Sequence, residues 1–191
     1  MSSVVIAGDT SGTCTLQAPA VAGSTVLTLP AQTGTVMVNG PAFSAYNNAT
    51  QSATSGLQLM VINTVEFDTA TRFNATGASV NGIPAYAFMP NVAGYYVFTG
   101  ECRPTAVTTL TGSYLEIYKN GASAIRIGLE VAYTASAGSF NTQGSSSPIY
   151  MNGTTDYVQL YSYIVGTGAL SFSFAGVPYA SRFSGFLARS A

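Results

Sequence analysis

A chain of 191 residues with 47% hydrophobic and only 7% charged side chains can build one sizeable core, and its charge lies far below the roughly 25% of typical soluble domains. It has no histidine and a formal net charge of −1, which excludes Ser-His and Cys-His dyads and every histidine metal site. Its five arginines and one lysine are scattered singly and make no phosphate-tracking stripe, which points away from nucleic acid.

The start, "MSSVVIAGDTSG", turns polar within a few residues, and no apolar run approaches the roughly 20 residues of a membrane span. The expectation is synthesis in a cytoplasm without an export signal, and no membrane partner. Residues 1–39 contain "TLQAPAVAGSTVLTLPAQTGTVMV", whose apolar positions come in short pieces punctuated by Pro19, Gly23, Pro30 and Gly34. That is too little chain to bury a core of its own. Leu16, Val26, Leu27, Leu29 and Val36 therefore need a surface to dock on, in the main domain, a sister subunit or a foreign shell. The character changes at Asn39–Gly40, so residues 1–39 read as an extended arm and residues 40–191 as the independent unit.

Beyond that boundary the strand signal is everywhere and the helix signal is nearly absent. "LMVINTVEFD", "GYYVFTGE", "SYLEIYKNG", "AIRIGLEVAY", "DYVQLYSYIVG", "LSFSFAG" and "SRFSGFLA" are short runs rich in Val, Ile, Tyr, Phe and Thr, divided by Gly, Asn, Pro and Ser clusters. Asn120-Gly121 reads as a hairpin turn, because a type I′ turn needs φ > 0 at both central residues. "ASVNGIPAY" (78–86) and "TASAGSFNTQGSSS" (134–147) read as loops. Many short strands at near-regular spacing predict an all-β antiparallel sandwich or barrel.

The chemistry-bearing residues make no recognisable reaction centre. Cys14 and Cys102 stand far apart without a CxxC pair and read as two free, buried thiols. Zinc would lack ligands, the isolated acids make no calcium cage, and Gly-rich pieces such as "IVGTGAL" lack a phosphate loop's lysine and helix. Lys119 reads as a solvated turn residue. Glu66 and Asp68 share one face of a strand, and such neighbours are a wet edge rather than an acid pair. The expectation is a protein that is not an enzyme and uses no cofactor or metal.

Six motifs in order resemble the C1q/TNF-like jelly roll. "PAFSAY" (Pro41 to Tyr46) looks like its opening strand, and "VEFD" (Val65 to Asp68) resembles the next block. "FMPNVAGYYVFTGE" (Phe88 to Glu101) is similar to its F, P and G-x-Y-x-F pattern. "SYLEIYKNG" (Ser113 to Gly121), "IYMNGTTDYVQLYSY" (Ile149 to Tyr163) and "FSGFLA" (Phe183 to Ala188) resemble the remaining three. Thr154 and Thr155 separate Gly153 from Asp156 where the family has adjacent Gly-Asp, and "ASVNGIPAYAF" is inserted before the Phe-Pro block. The arm, "TLQAPAVAGSTVLTLPAQTGTV", resembles attachment segments of tailed-bacteriophage structural proteins.

The resemblance implies a homotrimeric antiparallel jelly-roll sandwich with an N-terminal β arm. Joined to the arm, it implies a virion protein that is made in the host cytoplasm and placed on the capsid surface. The expected role is a capsid decoration (cement) protein bound to the major capsid protein through its arm. The alternative is a tail-fibre or receptor-binding tip whose loops recognise a host protein or glycan.

The same motifs set the phase of each strand. Phe43, Ala45, Tyr96, Phe98, Val158, Leu160, Phe183 and Leu187 are expected inside. Ala42, Tyr46, Tyr95, Val97, Tyr157, Gln159, Tyr161 and Phe186 are expected on the other face of one inner sheet, where a trimer would bury them. A monomeric antiparallel sheet would leave that face polar.

Overall fold

The computed structural model describes residues 3–7, 10–17, 40–173 and 181–191. The chain divides into two compact units, Met1–Thr35 and Val36–Ala191. In the first, β1 (Ser3–Ala7) and β2 (Thr13–Gln17) pair antiparallel, from Ser3 opposite Gln17 to Ala7 opposite Thr13. Val26, Leu27, Leu29 and Val36 lie outside the described residues.

In chain order the second unit contains β3 (Ala42–Tyr46), β4 (Gln51–Ala53), β5 (Gly56–Leu59), β6 (Thr64–Asp68) and β7 (Ala87–Phe88). There follow β8 (Gly94–Cys102), β9 (Pro104–Lys119), β10 (Ser123–Ser139), β11 (Thr142–Ser145) and β12 (Ile149–Met151). The last three are β13 (Val158–Thr167), β14 (Leu170–Phe172) and β15 (Arg182–Ser190). Among the described residues these form two antiparallel sheets and no helix. A six-stranded sheet runs β11-β8-β15-β3-β6 with β12 beside β8. A seven-stranded sheet runs β4-β14-β9-β13-β5 with β10 beside β9 and β7 beside β13.

Period-2 alternation builds the core between the sheets. Burial along β8 alternates without a break from Gly94 to Cys102, with Tyr96 and Phe98 fully buried. Phe43, Ala45, Val158, Leu160, Phe183 and Leu187 are buried as their phase predicts. Phe43 is the hub: its ring stacks on Phe73 at 4.9 Å and on Phe88 at 4.4 Å, and meets Phe183 edge-on at 5.1 Å. Each such ring removed from water contributes about 1.5–3 kcal/mol. Where strands cross closest a side chain does not fit. A methyl group on Gly185 would run into the Phe98 ring and sit 3.0 Å from Phe43 Cε1.

The turns follow local chemistry. Asn120 and Gly121 have φ of 55° and 69°, and the Ala122 amide donates to the Lys119 carbonyl at 3.2 Å, as a type I′ turn requires. The inserted "ASVNGIPAY" is an ordered turn in its own right. Val80 and Ile83 exchange backbone hydrogen bonds around Asn81-Gly82, while Asn74 Nδ2 donates to the carbonyls of Ala78, Ile83 and Pro84.

"TASAGSFNTQGSSS" departs from the expected loop. Its first half completes β10, with Gly138 opposite Ala106 and Ser139 opposite Thr105, and its second half is β11, paired to β8 from Thr142 to Ser145. Backbone pairing with two long neighbours overrides the weak strand propensity of Ser and Gly, and register shifts in β10 absorb the mismatch.

Candidate functional site

The outward face of the six-stranded sheet is layered. One row crosses it as Ala42, Phe186 and Val97, which are register partners on β3, β15 and β8. Phe186 is 52% exposed, and Ala42 and Val97 are half-buried. Next to it Tyr95 pairs with Tyr150 of β12, their rings 5.6 Å apart and both exposed. A hydroxyl row follows, Ser44, Ser184 and Thr99, ending at the edge in Phe67, which is 49% exposed. The last row is charged. Arg182 stands between Tyr46 and Glu101 in register and its Nη2 lies 3.2 Å from Glu66 Oε2. Within the hydroxyl row Ser44 is 4% exposed and its Oγ has no hydrogen-bond partner among the described residues. Buried hydroxyls are rarely left so.

Five of the eight residues expected on this face are therefore together: Ala42, Tyr46, Tyr95, Val97 and Phe186. Tyr157, Gln159 and Tyr161 are not. β13 belongs to the seven-stranded sheet, paired along its length with β9. The crossing happens at the turn that follows β12. Asn152 Oδ1 accepts the amides of Thr154, Thr155 and Asp156, each at 2.9 Å, and Asp156 lands against the end of β9. There Lys119 Nζ approaches Asp156 Oδ2 at 2.8 Å, and Asn120 Nδ2 donates to Oδ1 at 2.8 Å. Burial would raise the Asp156 pKa, but the hydrogen bonds from Lys119 and Asn120, the Asn152 amide and the Lys119 charge together hold it below the usual carboxylate value. Lys119 is thus not a solvated turn residue. It is a half-buried tie that also donates to the Tyr150 carbonyl at 2.7 Å.

Gln159 is buried and donates through Nε2 to the Ala85 carbonyl at 2.7 Å. Sequence reading missed Tyr150 and Phe67 on the first face. The signal was there, since Ile149 and Met151 point inward and leave Tyr150 outside.

A second exposed surface is the hairpin of the first unit. Val4, Val5, Ile6 and Leu16 are 60%, 57%, 55% and 52% exposed. Among the described residues β1 and β2 pair only with each other, and an edge strand of that kind can pair with another strand. Leu16 was expected to dock; the apolar β1 was not recognised.

The acids of β6 are already engaged. Asp68 spends its carboxylate on the amides of Ala70, Arg72 and Phe73, while Glu66 faces Arg182. β6 is a sheet edge, as expected. Cys102 is free and wholly buried, and burial pushes its thiol up to about 12 despite the hydrogen bond to Ser162. The Cys14 side chain lies outside the described residues. Among the described residues no three His, Cys, Asp or Glu side chains gather into a metal site, and no helix is long and apolar enough to cross a membrane.

No protein-family model matches the chain, and no curated protein matches it. Solved structures do. The globular domain of zebrafish complement 1qA is similar over 80% of this chain and 100% of its own, at 18% identity and a TM-score of 0.52. Murine APRIL is similar over 78% of this chain and 99% of its own, at 10% identity and a TM-score of 0.50. At such identities the likeness concerns the fold. The fold is an all-β antiparallel jelly roll of the C1q/TNF-like kind.

Proposed function

We propose that this chain is a structural virion protein, a homotrimeric capsid decoration protein that grips an assembled phage head through its N-terminal segment. Chemistry narrows the choice to surfaces: the charged fraction is 7%, histidine is absent, and the acids found are used in turns and ion pairs. The observation that carries the reading is the pair of uncovered apolar surfaces. The outward face of the six-stranded sheet presents Phe186, Tyr95, Tyr150 and Phe67, and the separate hairpin presents Val4, Val5, Ile6 and Leu16.

The two surfaces suit different partners. The sheet face is aromatic at one end and charged at the other, and its buried Ser44 Oγ has no hydrogen-bond partner among the described residues. A second and third copy of the same sheet would cover it, with tyrosines keeping their hydroxyls hydrogen-bonded. Among the described residues the hairpin strands pair only with each other, which suits strand addition to a foreign surface. Resemblance of the arm to tailed-phage attachment segments makes the major capsid protein that surface. Three arms on one trimer raise each other's effective concentration, so modest contacts hold. Binding only the assembled lattice stabilises it by linkage.

The test is decoration of heads that lack the protein. Full-length chain should bind them and raise their resistance to heat, whereas a chain lacking residues 1–39 should remain a soluble oligomer and fail to bind. Undiminished occupancy by the shortened chain would refute the assignment of roles. Binding to host cells but not to heads would favour the tail-tip alternative.

A further inference from the structure

We propose that Asn81 is a site of spontaneous modification, where the side-chain amide condenses with the Gly82 backbone nitrogen and is hydrolysed to aspartyl and isoaspartyl products. This stands apart from the decoration reading, because it uses neither the outward face of the six-stranded sheet nor the hairpin.

The chemistry asks for an asparagine followed by glycine, since a side chain on the second residue would hinder attack by its nitrogen. The sequence has four such pairs, at Asn39, Asn81, Asn120 and Asn152, and the last three lie within the described residues. In two of these the side-chain amide is tied down. Asn120 Oδ1 accepts the Tyr157 amide at 2.9 Å while its Nδ2 donates to Asp156 Oδ1 at 2.8 Å. Asn152 Oδ1 accepts the amides of Thr154, Thr155 and Asp156, and its Nδ2 donates to Thr155 Oγ1 at 2.8 Å. Asn81 is exposed, and neither its side chain nor the Gly82 amide has a hydrogen-bond partner among the described residues. Exposure does not set it apart, because Asn120 is exposed as well. The missing tethers do.

The backbone adds to the difference. Asn81 and Asn120 have nearly the same φ, 50° and 55°, and each is followed by a glycine at positive φ. That turn must relax before the glycine nitrogen can reach the asparagine Cγ. At Asn120 relaxation opens the end of β9 and β10, which pair without a break from Ser123 opposite Lys119 to Ile127 opposite Leu115. At Asn81 it opens an isolated bridge, Val80 to Ile83, closed by backbone hydrogen bonds of 3.0 and 2.9 Å. Asn74 braces the stem of this turn through the Ala78, Ile83 and Pro84 carbonyls, while Asn81 and Gly82 at the tip stay exposed. A unit this short opens at far lower free energy than long paired strands.

The step balances with water as its co-reactant. The Gly82 nitrogen gives up its proton to solvent base and bonds to Asn81 Cγ. The Cγ–Nδ2 bond breaks, and ammonia leaves with a proton from solvent. Water then opens the cyclic imide. Cleavage at Cγ leaves an aspartyl residue, and cleavage at the original peptide carbonyl leaves an isoaspartyl residue whose chain runs through the former side chain. Either product places a new carboxylate on a chain whose formal net charge is −1. The isoaspartyl form also lengthens the backbone between Val80 and Ile83, which takes them out of register.

The test is a time course of the folded full-length chain in mildly alkaline buffer, digested and mapped by chromatography and mass spectrometry against an unincubated sample. The peptide holding Asn81 should gain the mass of an NH2-to-OH exchange and split into two products, the isoaspartyl one in excess. Peptides holding Asn120 and Asn152 should convert about tenfold more slowly or less, the effect of the hydrogen bonds each must first release. In denaturant, where the tethers are gone, all three should convert at similar rates. Asn81→Gln should abolish the change at that position and leave the other two rates as they were. An unconverted Asn81 in the folded chain overturns the proposal, and so does conversion of Asn120 or Asn152 at the same rate. A rate order that persists in denaturant overturns the role given to the turn.

Discussion

Gly185 leaves no room for a side chain, because the Phe98 and Phe43 rings occupy the space it would need. Both rings are fully buried and braced by other aromatics, so neither can yield cheaply. Gly185→Ala should cost about 1–3 kcal/mol as overpacking, read as a lower denaturation midpoint with an unchanged slope. Asp156 carries the second residue-level expectation. Its folded pKa is held below the ordinary value, so its stabilisation is present above the unfolded pKa of about 3.9 and is lost as pH falls through the folded value. Asp156→Asn should lower stability at pH 7 by about 1–3 kcal/mol, the range of a charged hydrogen bond. The gap from wild type should shrink as the pH drops below 4, which a denaturation series between pH 7 and 3 would measure.

At the scale of elements, the phase of each strand was legible because apolar alternation with period 2 is local. Phe43, Tyr96, Phe98, Leu160 and Phe183 all point where the sequence says. Which sheet a strand joins was not legible for β13. Its alternation is the same whichever neighbour it pairs with, and the deciding contacts, Lys119 and Asn120 to Asp156, span 36 or 37 positions of chain. β11 and β12 were missed beside β8 for a different reason. Gln, Gly and Ser in β11 carry little strand signal and three-residue β12 is too short to show alternation, so pairing with β8 supplies what the local sequence lacks. β1 was overlooked because five apolar and small residues at a chain start announce no partner until β2 is seen opposite them. Of the candidate sheet face, five of eight expected residues were recovered. Tyr157, just before β13, and Gln159 and Tyr161 on it belong instead with the seven-stranded sheet, where Gln159 braces the inserted turn.

At the scale of the whole molecule, the charged fraction is 7% and several large apolar side chains are exposed on the six-stranded sheet and the hairpin. Under the proposed function, the six-stranded sheet would be closed by copies of itself and the hairpin would bind the shell. The central claim is that the first of these faces is an interface. Phe186 sits between Ala42 and Val97 on the outward face, exposed in the single chain and away from the core, so Phe186→Lys should leave the fold intact while placing an unpaired charge in each contact. The most direct measurement is sedimentation equilibrium of wild type and Phe186→Lys, with far-UV circular dichroism to confirm that both are folded. The account predicts wild type at three times the 19.6 kDa chain mass and the folded variant at the mass of one chain. A monomeric wild type, or a folded variant that remains at three chains, would contradict it.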